Sequence, residues 1–234
     1  MSKALLVDAG NTLVKYAAVG SVEDGVVSVP LVNFAAAELP EAENYLVCSV
    51  VPFALEVLRK RYGAKVLALG EELRLPIQDT TKTPATTGVD RLAACYAAYS
   101  ECGRDCLVVA CGTALVSSIV RDGAFVGGNI LPGPDLMSKA LSVGTAALPA
   151  KSRDPFADDL IIGDSTETAV SRGIRLSLVS AINMMIVHCL DRLNDPAVFL
   201  TGGWAAKVLP VLPPEVRHRP NLVLKGLELV AAHL

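Results

Sequence analysis

The sequence predicts an α/β protein of two similar domains, each a mixed sheet flanked by helices, and three observations predict it. Short apolar runs of strand length alternate with longer stretches of helical spacing, the pattern of strands covered by helices. At 52% hydrophobic and 19% charged residues over 234 positions, the chain is apolar enough for strands buried on both faces. One strand–turn–strand pattern also occurs twice: setting Leu5 against Leu107 aligns LLVDAGNTLVK with LVVACGTALVS. Each copy is an apolar strand, a Gly-containing turn and a second apolar strand, which points to duplicated domains over residues 1–100 and 101–234. Two such turns facing each other across a cleft suit the grip of a phosphate chain.

In chain order, residues 4–7 form the first strand and Asp8 stands at its end. Burying a carboxylate is costly unless it meets a cation or hydrogen-bond donors, so Asp8 is a candidate for holding a metal, orienting a phosphate or capping the turn. Gly10 lets the backbone pass close to a ligand, Asn11 and Thr12 add short polar side chains, and Lys15 supplies a cation. The same residues also suit an ordinary β-hairpin turn. Residues 25–34 read as a third strand, 44–51 as a fourth, 53–61 as a helix and 66–69 as another strand. Periodicity then disappears over residues 71–87, a loop long enough to be functional.

That loop ends in Gly88, Val89, Asp90 and Arg91 and runs straight into a helix. Asp90 and Arg91 therefore fall in its first turn, where backbone N–H groups are free to bind an anion. Arg91 can hold a carboxylate bidentately and Asp90 can take a proton from a hydroxyl, a pairing suited to an alcohol that also bears a carboxylate. Asp at a helix N-terminus also complements the dipole without any catalytic role. Farther on, residues 135–142 and 168–193 read as helices and 197–200 as a buried strand opening into Thr201, Gly202 and Gly203, with Trp204 as packing. The apolar surplus of the long helix suggests cover by more than one neighbour, such as a second subunit.

Composition excludes several function classes. A net charge of −3 without local runs of Lys and Arg gives no footprint for nucleic acid. No apolar run reads as reaching the ~20 residues a bilayer needs, and the N-terminus lacks a signal peptide's features, so no membrane partner and a cytoplasmic location are expected. The six cysteines read as reduced structural thiols. With three scattered histidines, any general base is a carboxylate.

The duplicated hairpin resembles the plan of the acetate kinase, sugar kinase, heat-shock protein 70 and actin superfamily, the actin-like, ribonuclease H-like or ASKHA fold. More specifically, the chain resembles type III pantothenate kinase, in the branch containing the Bvg accessory factor. The matching elements are DAGNT-x-x-K at residues 8–15, P-x-x-x-G-x-D-R at 84–91, GTA at 112–114, GG-x-I-x-PG at 127–133, TAALP at 145–149, G-x-ST at 163–166 and TGG at 201–203. Each is short, but seven in the family's order cover nearly the whole chain.

The resemblance implies ATP-dependent phosphorylation of pantothenate, the first step of coenzyme A synthesis, by a homodimer. Asp8, Ala9, Gly10, Asn11, Thr12, Leu13, Val14 and Lys15 would form the ATP phosphate loop, with Asp8 holding Mg2+ and Thr113 making the second phosphate contact. Asp90 would accept the proton; Gly88, Val89, Asp90, Arg91 and Thr166 would bind pantothenate. Locally, Thr166 also sits at a helix start, with Asp164 expected as the cap and Glu167 completing a capping box. Three positions depart from the family pattern. Ala110 replaces an Asp associated with a monovalent cation, K+ or NH4+, which lowers the expectation of that ion; Ser118 replaces a second acid, and Thr81 replaces a Tyr in the substrate loop. The alternative is a catalytically weakened homologue that binds nucleotide or pantothenate in a regulatory role.

Overall fold

A computed structural model of the chain describes residues 2–149, 153–158 and 162–234. Its strands are β1 (Ser2–Ala9), β2 (Leu13–Ala18), β3 (Val27–Pro30), β4 (Ala42–Ser49), β5 (Val66–Ala68), β6 (Gln78–Asp79), β7 (Cys106–Cys111), β8 (Ala114–Arg121), β9 (Ala124–Gly127), β10 (Ile130–Pro132), β11 (Ala197–Thr201) and β12 (Arg217–His218). The α-helices are α1 (Pro52–Tyr62), α2 (Val89–Cys102), α3 (Pro134–Gly144), α4 (Thr166–Leu190), α5 (Ala205–Val208) and α6 (Leu222–Ala231). They divide into two compact units, one of Met1–Arg104, Val120–Gly127 and Asn221–Leu234, the other of Asp105–Ile119 and Gly128–Pro220. A break after residue 100 would cut α2, which runs on until Gly103 ends it in a left-handed turn at φ 64°.

The first unit is built on the strand order β3-β2-β1-β4-β5, with β1 antiparallel to β2 and parallel to β4. Leu5, Leu6 and Val7 are all buried because helices cover both faces. Strand alternation decides which face each side chain meets. Leu5, Val7, Val14, Tyr45 and Val47 join Ala54 and Leu58 of α1 in one core. Leu6, Ala17, Leu46 and Cys48 join Ala93 of α2 and Leu224 and Leu227 of α6 in the other. The third strand is shorter than its apolar run: β3 stops at Pro30, and Leu31–Ala36 form a 3-10 helix that turns Phe34 fully into the α1-side core. Pro30 cannot donate to a ladder, and the Leu31 N–H goes to Thr12 O at 2.9 Å instead.

In the second unit β11 lies parallel to β7 and β12, β8 follows β7 in the sheet, and β10 runs antiparallel to β8. Against this sheet α4 lays Leu178, Ile182 and Ile186, spaced by four, in one core with Leu107, Val109, Leu115 and Leu200. Truncating Leu178 or Ile182, both fully buried, to Ala would cost about 2–5 kcal/mol.

Two expectations about α4 change. Its cap is Ser165 rather than Asp164, and the box closes with Thr168 rather than Glu167: the Thr168 N–H donates to Ser165 Oγ at 3.3 Å and the Ser165 N–H to Thr168 Oγ1 at 2.9 Å. Either side chain fits a cap by composition; here Asp164 instead accepts from the Thr168 hydroxyl at 3.1 Å. The expectation that no apolar run reaches bilayer length is also corrected. At 25 residues, with an 18-residue window of mean hydropathy 1.6, α4 is long and apolar enough by length and composition to cross a membrane. Its charges, Glu167, Arg172 and Arg175, all lie near its start, leaving the rest of the helix apolar. One face of that run is committed to the unit's own core.

Candidate active site

Strand alternation places the first acid. Asp8 shares its face of β1 with Leu6, so it points to the side covered by α2 and α6, and α2 carries Asp90 in its first turn. Lys15 stands directly across from Asp8 in the β1–β2 ladder, and Cys48 directly across on β4. Between the two strands the Gly10 N–H donates to Leu13 O at 3.0 Å, closing a turn in which Asn11, Thr12 and Leu13 are exposed. Ala9 and Val14 are buried in the α1-side core, so they can offer a ligand only main-chain atoms.

The electrostatics follow from this placement. The Asp8 side chain is partly accessible, yet burial pushes its pKa up to about 7, with the Lys15 charge pulling it down and the Asp90 charge adding a push upward. Burial likewise raises Asp90, against the backbone N–H and the positive charge of Arg91; the Arg91 N–H reaches Asp90 Oδ1 at 2.9 Å. Cys48 is pushed far up, first by burial and then by both aspartates, and stays an inert thiol. A buried carboxylate with one amine as counter-charge is a setting a divalent cation would relieve. Among the described residues no group of three or more His, Cys, Asp or Glu side chains surrounds it, so such a cation would draw its other ligands from phosphates and water, as Mg2+ commonly does.

Arg91 lies over the Phe125 ring, 5.0 Å from its centroid. Asp79, at the end of β6, adjoins it. Against the upward push of burial, hydrogen bonds from Thr87 and Thr81 and the Arg91 charge hold Asp79 below its ordinary value. The Thr81 N–H donates to Asp79 Oδ1 at 2.9 Å and Thr80 Oγ1 to Phe125 O at 3.0 Å, which fixes the loop leading into Gly88. Thr81 lies beside Gly127, whose added Cβ would come 3.8 Å from it.

Thr113 and Thr166 belong to the second unit. Thr113 occupies the second turn, where the Gly112 N–H donates to Ala114 O at 3.0 Å, much as Gly10 does in the first copy. Two glycine motifs pack on this turn because nothing larger fits: a Cβ on Gly133 would lie 2.1 Å from Gly112 O, and one on Gly202, at φ +96°, 2.4 Å from Cys111 O. Ser118, where the family pattern has an acid, is buried. Trp204 packs beside the turn, its indole N–H donating to Asp135 at 3.2 Å. Thr166 opens α4 and is exposed.

Two neighbours of these residues were not legible in the sequence. Asp79 lies in the stretch without periodicity. Asn221, which accepts from Lys15 Nζ at 3.2 Å, is 206 residues away, and no local pattern relates the two.

Comparison with known proteins shows what the chain is similar to. A family model described as type III pantothenate kinase matches residues 4–188. Among similar curated proteins, the type III pantothenate kinase of Phocaeicola vulgatus is 35% identical over 179 residues, covering 74% of this chain and 72% of that protein. That of Fervidobacterium nodosum is 33% identical over 187 residues, covering 78% and 73%. Among solved structures, a putative Baf family transcriptional activator from Campylobacter jejuni superposes with a TM-score of 0.68 at 20% identity over 98% of each chain. A ROK family glucokinase from Streptomyces griseus, in complex with glucose and AMPPNP, gives 0.54 at 12% identity, over 98% of this chain and 99% of that one. At such identities these structures establish the fold, the actin-like one expected from the repeated hairpin.

Proposed function

Because the chain belongs to the type III pantothenate kinase family and so phosphorylates pantothenate with ATP, the first step of coenzyme A synthesis, we propose that Asp90 is the proton acceptor and that Asp8, Lys15 and the Gly10–Thr12 turn hold the phosphates. The observation that carries this assignment is the pair of aspartates. Each is raised by burial and Asp90 acts on Asp8 through its charge, while Lys15 stands across the ladder from Asp8. Two neighbouring acids with separate cationic partners can divide two tasks.

Asp90 sits in the first turn of α2 with a raised pKa, which suits it to take the proton of the pantothenate hydroxyl as that oxygen attacks the γ-phosphorus. The phosphoryl group moves to the hydroxyl oxygen, the bond to the bridging oxygen breaks, and ADP leaves. Arg91, from the next position, supplies a fork for the pantothenate carboxylate, with Thr166 and the Gly88–Val89 backbone as further contacts. Lys15 and the turn's N–H groups bind phosphate oxygens, and Thr113 serves as a second phosphate contact. Mg2+ fits Asp8 as an oxygen ligand and, when bound, neutralises charge on the phosphates. Ala110 in place of an Asp removes one anionic ligand that a monovalent cation, K+ or NH4+, would use there.

Among the described residues the cysteines form no disulfide, which supports a reducing, cytoplasmic setting. The apolar outer face of α4 supports a homodimer, and neither nucleic acid nor a membrane is assigned as a partner. The test is an ADP-release assay with pantothenate. Wild type turns over; Asp90→Asn, which keeps the shape and removes proton acceptance, lowers kcat about 10²–10⁴-fold while calorimetry finds Mg-ATP still bound. Near wild-type turnover in Asp90→Asn would leave Asp90 as a helix-dipole residue only.

A further inference from the structure

Lys15 is a flexible side chain asked to hold a phosphate, and its ammonium needs something to aim it. Among the described residues Lys15 Nζ makes one hydrogen bond, 3.2 Å to the side-chain oxygen of Asn221. Asn221 is the residue before α6, and it takes the left-handed conformation at φ 60°, ψ 30°, which Asn tolerates better than other side chains with a Cβ. From there its amide is carried on a rigid mount. A Cβ on Gly226 of α6 would lie 2.3 Å from Ala93 O of α2, so the two helices touch backbone to backbone. At its far end α6 is tied to the exit of β2: the Gly20 N–H donates to Glu228 Oε1 at 2.7 Å, and Glu228 also pairs with Lys225 at 2.7 Å. The mount therefore grips both the strand that carries Lys15 and the helix whose first turn holds Asp90. The matched family region ends at residue 188, before this segment starts.

We propose that Asn221 is a positioning residue that presents the Lys15 ammonium to the ATP phosphates, an inference that rests on the phosphate role given to Lys15. Asn suits the task better than an acid would. A neutral amide oxygen restrains a side chain with several rotatable bonds, yet it leaves the positive charge unspent for the phosphate. A carboxylate at this position would form an ion pair with the ammonium and compete with the ligand.

Three variants of the full chain test this. Asn221→Gly keeps the left-handed turn and removes the amide: the Mg-ATP KM rises about five- to tenfold, the scale of one net hydrogen bond, the pantothenate KM stays within about twofold, and the unfolding temperature does not fall. Asn221→Asp keeps the turn and adds a charge, and also raises the ATP KM, now more steeply at low salt because the new pair is electrostatic. An Asn221→Gly enzyme with wild-type ATP KM overturns the proposal and leaves Asn221 as a turn residue. Lys15→Ala separates the two levels of failure. If it leaves the ATP KM unmoved, the phosphate role of Lys15 falls and this inference falls with it; if it raises the ATP KM while Asn221→Gly does not, only the inference falls.

Discussion

Asp8 shows what a functional residue costs the fold that carries it. Its ordinary pKa of 3.8 is raised by burial to about 7, so the folded state binds a proton more tightly than the unfolded chain does. For a carboxylate shifted in this direction the stability contribution is complete below the ordinary pKa and is lost as pH rises through the folded-state value. Without nucleotide, the enzyme is therefore expected to lose stability between about pH 4 and pH 7 through this group. Asp8→Asn removes the titration, so its unfolding free energy from urea titration stays flatter over that range and exceeds the wild type at pH 8 by about 1–3 kcal/mol. Partial solvent access to Asp8 places the gain below the full cost of the shift. Asp90 is raised in the same direction and is present in both proteins, so the difference between the two curves reports Asp8 together with its charge coupling to Asp90. Parallel pH curves would show that Asp8 is not desolvated. The stabilised variant should bind Mg-ATP poorly, since the charge that destabilises the empty site is the charge the cation uses.

At the level of elements, what could be read from the sequence was whatever one segment decides alone. Periodicity located α1, α2, α3, α4 and β11, and the repeat located both hairpins, because burial on a fixed face imposes a spacing on each. The capping box was misplaced by one residue because Asp164, Ser165, Glu167 and Thr168 form overlapping candidates and only backbone geometry chooses among them. The length of β3 was overestimated because apolar residues serve a 3-10 turn such as Leu31–Ala36 as well as a strand. The partnership of α2 and α6 was not legible, since it depends on matching surfaces far apart in sequence: Ala93, Ala94, Ala97 and Ala98 are all buried in α2, leaving a groove shallow enough for Gly226. Gly226→Ala adds a carbon that would sit 2.3 Å from Ala93 O. Although Ala is the better helix former, this substitution should lower stability by about 1–3 kcal/mol, read as a lower denaturant midpoint with unchanged slope. A stabilised Gly226→Ala would mean that the helices can part without loss.

For the whole molecule, the chain does not fill its two units in sequence order. The hairpin Val120–Gly127 and the C-terminal segment Asn221–Leu234 both belong with the first unit, a rearrangement that a linear division at residue 100 cannot express. Because of it, parts of the proposed site come from opposite ends of the chain, and the seven motifs alone did not include Asn221. The second unit carries the other global feature. Opposite its core stripe, α4 exposes Leu176 (59%), Met184 (57%), Val187 (50%) and Leu190 (56%), positions that helical spacing gathers on one side. A monomer would leave this stripe in water, and α4 alone has the length and hydropathy of a membrane span. Its opposite face is already occupied by Leu178, Ile182 and Ile186 in the core, so insertion into a bilayer would require dismantling that core. Pairing of two copies hides the stripe and leaves the core intact. Light scattering on a sizing column should then report a dimer for the wild type, and the double substitution Leu176→Glu/Met184→Glu should give a folded monomer with unchanged helical content, because two like charges per copy would face each other across the interface. A wild-type monomer that floats with anionic vesicles would instead assign the stripe to a membrane surface and remove the second subunit from the account.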